Sequence, residues 1–154
     1  YGSLSSNLHI KGVDLSALFT YSLGGKIYDS TYRSMMEPSY VGQTYHVNSL
    51  RAWTEAGQIT DVPKVTTTAT TVINDRFLID ASYFSIKSVS AGYTFRSASL
   101  EKYHIRSLRL YASGDNLLML SALKGLNPQS SFSGSTSYTY TPNRTVSLGV
   151  DIKF

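Results

Sequence analysis

The sequence has no cysteine among its 154 residues. A disulfide framework and a cysteine-based metal site are therefore excluded for this chain. Charged residues make up only 16% of the chain, below the roughly 25% that is usual for soluble domains. The net charge of +4 comes from basic residues that are scattered rather than clustered. Because nucleic-acid binding requires a basic patch or stripe, no nucleic-acid partner is predicted.

Long apolar runs are missing as well. No stretch of the sequence approaches the ~18 apolar residues that a membrane-spanning helix requires. No transmembrane helix is therefore predicted. The sequence begins at Tyr1 without a charged-then-apolar signal segment, and we expect it to be a mature form or a cut piece of a longer chain.

Motifs for catalysis and metal binding are absent too. The three histidines, His9, His46 and His104, lie far apart and match no metal-binding spacing. There is no G-x-S-x-G nucleophile elbow, and the GGK at residues 24–26 lacks the flanking residues of a phosphate-binding loop. No catalytic residue, metal site or cofactor is predicted, and the chain is not expected to be an enzyme.

The sequence is instead rich in residues that suit strands, and these are arranged with a period of two. It has 12 Tyr and 6 Phe, and aromatic residues fit a pleated surface well. Alternation of apolar with polar or small residues predicts five strands, at about 1–10, 13–23, 82–95, 105–117 and 143–154. Within the third strand the alternation reverses after Ile86, which predicts a β-bulge near Lys87. The alternative is that the first half of this strand stands above the membrane, where the assignment of faces relaxes.

The connections between these strands alternate between short and long. The short ones lie at 11–12 and 96–104, and the long ones at 24–81 and 118–142. An outer-membrane barrel has this pattern, because its periplasmic turns are tight and its extracellular loops are long.

The first long connection also contains local structure signals. Asp29–Met36 is predicted to form a short helix, and Ser49–Ala56 a second one with Asn48 as its N-cap. The Thr-rich stretch 65–72 is predicted to be extended or mobile.

The predicted fold class is all-β: an antiparallel, up-and-down transmembrane β-barrel segment of about five strands with long extracellular loops. The alternative is a soluble β-sandwich or jelly roll, such as a surface carbohydrate-binding module. Two groups of residues favour the barrel. Charged residues on the polar face suit a wet lumen, and aromatic residues near the strand ends suit membrane interfaces. The first group is Asp14, Arg109, Asp151 and Lys153, and the second is Tyr21, Tyr93, Phe95 and Phe154.

Five strands cannot close a barrel, since the smallest closed ones need about eight. The two edge segments are therefore expected to pair with strands outside this sequence. Val150, Ile152 and Phe154 are predicted to serve barrel closure and recognition by the outer-membrane assembly machinery, although simple lipid contact is the alternative. Three loop aromatics are candidate ligand or partner contacts, although fastening the loop down is the favoured role: Trp53, Tyr40 and Tyr45.

Five stretches, in this order, resemble one family, the RagA/SusC-like TonB-linked outer-membrane proteins of Bacteroidetes. They are WTEAGQITDVPK at 53–64, DASYFSIKSVSAGYT at 80–94, LRLYASGDNL at 108–117, KGLNPQ at 124–129 and TVSLGVDIKF at 145–154. The chain departs from the family where Ser85 stands in place of a frequent Arg. Asn127 and Gln129 also replace acidic residues, which lowers the odds of a cation site in that loop.

The resemblance implies a barrel of about 22 strands with an N-terminal plug, of which this chain would supply the last strands. It also implies an outer-membrane location and TonB-driven import of oligosaccharides or peptides together with a SusD-like surface lipoprotein. The partners it implies are the rest of the barrel, the plug, the lipoprotein, TonB, the assembly machinery and membrane lipid.

Overall fold

The computed structural model describes residues 1–37, 42–66, 73–97, 100, 102–131, 133–137 and 139–154. These residues form two compact units. The first unit comprises 1–25, 81–127 and 140–154, and the second comprises 26–80 and 128–139. No helix within the described ranges is long and apolar enough to cross a membrane.

Strands predominate over helices in the described chain. In chain order the elements are β1 (Gly2–Ile10), β2 (Val13–Ser22), β3 (Lys26–Asp29), α1 (Ser30–Met36), β4 (Leu78–Asp80), β5 (Tyr83–Phe95), β6 (Ser107–Ser121), β7 (Ser135–Thr136) and β8 (Thr145–Lys153). Short 3-10 helices lie at Val47–Arg51, Asp75–Phe77 and Pro128–Ser130.

The first unit is built on one five-stranded antiparallel sheet with the order β1-β2-β5-β6-β8. The predicted antiparallel sheet of about five strands is thereby confirmed. The order is linear, so β1 and β8 are the two outer strands and the sheet does not close on itself. Strand β6 continues to Ser121, past its predicted end at 117.

The register places most apolar residues of all five strands on one face, with Leu18 and Met119 as exceptions. Directly opposed residues of an antiparallel pair share a face, and one such row crosses four strands at Val13, Tyr93, Leu110 and Val150. The opposite face carries polar and small residues, as in the neighbouring row of Asp14, Gly92, Tyr111 and Gly149. The sheet therefore has one apolar and one polar surface.

A bulge at Lys87 keeps this division intact. The β5 register shifts between Ile86 and Ser88, against both β2 and β6. Because one extra residue reverses the alternation, Ile86 on one side of the bulge and Val89 on the other face the same way. The bulge predicted near Lys87 is confirmed.

The second unit has its own small sheet and its own core. The sheet has the order β4-β3-β7, with β3 and β7 parallel, and the sequence pattern did not predict it. Tyr28 and Tyr32 pack against a buried apolar cluster formed by Met36, Ala52, Val62 and Phe77. Phe77 is only 1% exposed and makes edge-on ring contacts with both tyrosines, at centroid distances of 6.2 and 5.9 Å.

The helix predictions for this unit have different outcomes. The one predicted over Asp29–Met36 is confirmed as α1, where an Asp29 carboxylate oxygen accepts a hydrogen bond from the backbone N–H of Tyr32 at 2.8 Å. The predicted Ser49–Ala56 helix is wrong: a 3-10 helix spans Val47–Arg51, and its N-cap is His46 rather than Asn48. Residues 67–72 of the predicted extended segment lie outside the described residues.

The second predicted helix fails because other partners take its backbone groups. The backbone N–H of Trp53 donates to the Val62 carbonyl at 2.9 Å. The backbone N–H of Thr54 donates to the Gln58 side-chain oxygen at 2.7 Å. These bonds run across a loop, so the donors cannot continue the helical ladder of bonds.

We expect Phe77→Ala to loosen the second unit. Removing a fully buried aromatic ring typically lowers the free energy of unfolding by about 3–5 kcal/mol, because a cavity is left behind. The expected result is faster hydrogen exchange at the amides of α1 and of Val47–Arg51, measured by mass spectrometry. Leu50→Ala is the control, because Leu50 is 83% exposed; equal exchange in the two variants would contradict the assigned core.

Candidate functional site

The apolar face of the five-stranded sheet is exposed. Large side chains on every strand of this face remain accessible, among them Leu8, Leu15, Phe84, Leu110 and Leu148. Monomeric soluble proteins rarely expose a contiguous apolar surface of this kind. In a β-sandwich this face would be buried against a second sheet, whereas in a membrane barrel it contacts lipid.

Aromatic residues mark both ends of the apolar face. At one end Phe19 and Phe84 stack with ring centroids 6.0 Å apart, and at the other Tyr93 and Phe95 meet edge-on at 4.5 Å. At ~3.3 Å per residue, the stretch from Phe84 to Tyr93 covers roughly 30 Å along β5, or roughly 23 Å along the membrane normal at a tilt of ~40°. The spacing matches the ~25 Å apolar band between the aromatic girdles of outer-membrane barrels.

On the polar face, Arg109 connects three strands through charge. Its guanidinium group donates to both carboxylate oxygens of Asp14 on β2, with Nε 3.3 Å from Oδ1. It also donates to the Asp151 carboxylate on β8 at 3.4 Å. All three side chains are partly exposed, so solvent screens the ion pairs. The pairs therefore contribute more to holding these side chains in position than to the free energy of folding.

Two glycines make room for this polar cluster. The Asp14–Arg109 pair passes over Gly92 of the intervening strand β5, where an added Cβ would lie 2.6 Å from the Asp14 carboxylate and 2.9 Å from the guanidinium. The Tyr111 ring lies over Gly149 of β8, and the Arg109 guanidinium stands 5.0 Å from the centre of that ring. A side chain at either glycine would displace its neighbour.

Beside the cluster lies a shallow, open depression in the polar face. Its polar lining residues are Asn7, His9, Asp14, Ser16, Ser90 and Arg109. The hydroxyls of Ser16 and Ser90 are hydrogen-bonded at 2.8 Å. Within the described ranges, no group of three His, Cys, Asp or Glu residues is arranged to hold a metal ion. The chemistry of this face is that of a polar surface with paired charges.

Comparison with known proteins agrees with this geometry. No protein-family model matches the chain. TonB-dependent receptors P3 and P26 of Formosa agariphila are 28% and 22% identical to it over 161 and 164 residues, each match covering 97% of this chain. The structure of the RagAB peptide importer in the open-open state superposes with a TM-score of 0.75 at 27% identity, over 99% of this chain and 17% of that one.

The resemblance to the TonB-linked outer-membrane proteins is confirmed. The predicted outer-membrane location is confirmed with it. The chain spans about one sixth of the length of its curated TonB-dependent relatives, since each match covers 16% of the relative. These relatives are receptors and a transporter, which supports a role other than catalysis.

Two of the residues predicted for closure, Val150 and Ile152, lie on the apolar face of this TonB-receptor-like segment, and Phe154 follows the last residue of β8. Val150 and Ile152 stand opposite Leu110 and Leu108 of β6. Together with Phe154 they are 58%, 47% and 80% exposed. Because β8 is an outer strand, they lie beside an edge where another strand can pair.

The aromatic loop residues belong to the second unit. Trp53 and Tyr45 are 37% and 42% exposed, and the Trp53 backbone is held by the carbonyl of the buried Val62. Tyr40 lies outside the described residues. A role for these aromatics in ligand or partner contact stays a prediction.

The sequence pattern did not reveal that Asp14, Arg109 and Asp151 come together. It assigned all three to the polar face, but their contact depends on which strands are neighbours and in what register. Arg109 and Asp151 are directly opposed in the β6–β8 pair, whereas Asp14 is reached across β5. Aligning β6 and β8 in the correct register would have revealed the contact between Arg109 and Asp151.

We expect Gly92→Ala to destabilise the sheet because its methyl group would push the Asp14 carboxylate and the Arg109 guanidinium apart. Overpacking of this kind costs roughly 1–3 kcal/mol. The measurement is denaturant unfolding in detergent micelles. In an Asp14→Ser/Arg109→Ser background the same substitution should cost much less, since the obstructing groups are gone; an equal cost in both backgrounds would show that the crowding is elsewhere.

Proposed function

We propose that this chain is the closing C-terminal portion of a TonB-dependent barrel of about 22 strands. The barrel would import oligosaccharides or peptides across the outer membrane together with a SusD-like lipoprotein. The observation that carries the proposal is an open-edged sheet with one exposed apolar face and one polar face. The match to TonB-dependent receptors along 97% of the chain supports it.

The orientation of the segment follows from its connections. Ser22 lies opposite Tyr83, and Tyr83 lies opposite Ser121, so both long connections leave the sheet at the same end. The short Lys11–Gly12 turn, in which both residues have positive φ as in a type I′ hairpin, lies at the other end. Barrels of this class place long loops outside and short turns in the periplasm. We therefore assign connections 23–82 and 122–144 to the extracellular side.

The two outer strands would be completed by the rest of the barrel. In lipid, every backbone N–H and C=O needs a partner, so neither outer edge can face hydrocarbon unpaired. We assign β8 to pair with the first strand of the barrel, and β1 to pair with the strand that precedes it. The plug and the segment that contacts TonB would lie outside residues 1–154.

The second unit is our candidate for contact with the lipoprotein or the ligand. Its own buried core allows the long connections to present a defined surface. Aromatic side chains can stack on sugars or anchor a protein partner, and Trp53 and Tyr45 are the exposed aromatics that we assign to this role. An exposed apolar sheet face disfavours the alternative, a soluble carbohydrate-binding sandwich.

Import is tested with the full-length protein that contains this chain, produced in cells with and without a functional TonB system. Fluorescein-labelled oligopeptides and oligosaccharides of matched size are the probes. We expect uptake of one class, and its loss when TonB is absent or the proton gradient is collapsed. Uptake that survives both treatments would contradict TonB-driven import. Extraction into buffer without detergent, with no heat-induced shift on a gel, would instead favour the sandwich.

We expect Phe154→Ser to lower the yield of assembled barrel severalfold. The substitution removes an apolar side chain beside the edge that we assign to strand addition. Ser147→Ala is the matched control, because Ser147 lies on the polar face of the same strand, opposite Ser113. The measurement is the heat-shifted fraction in outer-membrane preparations. Equal yields from the two variants would remove the assembly role from Phe154.

A further inference from the structure

The pairing of β8 with β6 cannot be selected by the apolar face alone. Apolar residues occupy every second position from Val146 to Ile152 in β8. A shift by one residue would turn them to the polar side. A shift by two in either direction would still place an apolar residue opposite each of Leu108, Leu110 and Ala112. The correct register therefore needs a feature that distinguishes neighbouring positions on the same face.

The Tyr111–Gly149 contact is such a feature. Gly149 is the one glycine of β8, and it lies directly opposite Tyr111 in the observed register. A Cβ at this position would stand 2.6 Å from Cε1 of Tyr111, and closer still to Cζ and the hydroxyl. The ring can lie flat across β8 only where no side chain stands, because an aromatic ring covers a cross-strand glycine but not a larger residue.

Arg109 adds a second, charge-based distinction. Its guanidinium group lies against the Tyr111 ring and pairs with Asp151. A shift by two in one direction would set Lys153 opposite Arg109 and Asp151 opposite Tyr111, which brings like charges together. The opposite shift would set Ser147 against Tyr111 and leave Arg109 facing Gly149. Both slipped registers lose the ring contact and the direct opposition of Arg109 and Asp151.

We propose that Tyr111, Gly149, Arg109 and Asp151 form a register lock that selects the pairing of β8 with β6 when the closing strand is added. The register of a closing strand matters because strand number and stagger together set the geometry of a barrel. The lock concerns pairing within the sheet, and it goes beyond the import function.

Disulfide trapping can measure this register, since the chain contributes no cysteine of its own. Ala112→Cys with Leu148→Cys reports the observed register, because the two residues are directly opposed. Ala112→Cys with Val146→Cys or with Val150→Cys reports the two slipped registers. In the full-length protein assembled in cells, we expect the first pair to dominate in the wild-type background.

The decisive background is Tyr111→Ala. Loss of the ring should raise the ratio of slipped to native cross-links about two- to fivefold, as expected when one cross-strand aromatic contact is lost. Tyr111→Phe keeps the ring and should match the wild type. Ser113→Ala, on the same face of β6 and opposite Ser147, is the matched control and should also match it.

A failure of Tyr111→Ala to assemble would still test the lock. In that case the lock requires Tyr111→Phe to assemble in the native register and Gly149→Ala to share the defect or to raise the slipped fraction. The proposal is overturned if Tyr111→Ala or Gly149→Ala assembles with the wild-type ratio, or if Tyr111→Phe behaves like Tyr111→Ala. If the wild-type protein forms the native cross-link but shows no heat-induced shift on a gel, the register lock is supported and the proposed barrel is contradicted.

Discussion

Backbone hydrogen bonding is the constraint on which this structure depends. A sheet that faces hydrocarbon has no water to satisfy its N–H and C=O groups, so each strand needs a neighbour on both sides. The three inner strands, β2, β5 and β6, meet this condition within the chain, and the two outer strands do not. The open edges therefore agree with the finding that the chain matches only 16% of the length of its relatives. They also explain why an isolated sheet of this kind would be prone to aggregate.

Side-chain alternation is the second constraint, and it made most of the sheet predictable. A period of two with one apolar face needs no long-range information, so five strands and their faces could be predicted from residues such as Val146 and Leu148. The bulge was predictable as well, because Lys87 interrupts the alternation that Ile86 and Val89 otherwise share. The alternation of short and long connections was the evidence that these strands belong to one sheet.

The second unit shows where local patterns fail. Strands β3 and β7 are far apart in sequence and pair in parallel over two residue pairs, too few for alternation to be visible. The helix predicted to begin after Asn48 does not form, because Trp53 and Thr54 take partners across the loop. In both cases tertiary hydrogen bonds override local propensity, and tertiary partners cannot be inferred from a window of neighbouring residues. The ion cluster around Arg109 was missed for the same reason.

The two faces of the sheet have different roles: the apolar face suits contact with the membrane, and the polar face distinguishes one register from another. Lipid accepts any apolar side chain, so Leu148 and Val150 provide affinity for the membrane without distinguishing one position from the next. The polar face is where neighbours differ in size and charge: Tyr111 requires a glycine opposite it, and Arg109 requires an acid. Substitutions among apolar residues on the apolar face should thus be tolerated widely. Specific structural constraints concentrate on a few small or charged positions of the polar face, such as Gly149 and Asp151, which the alternation pattern alone does not single out.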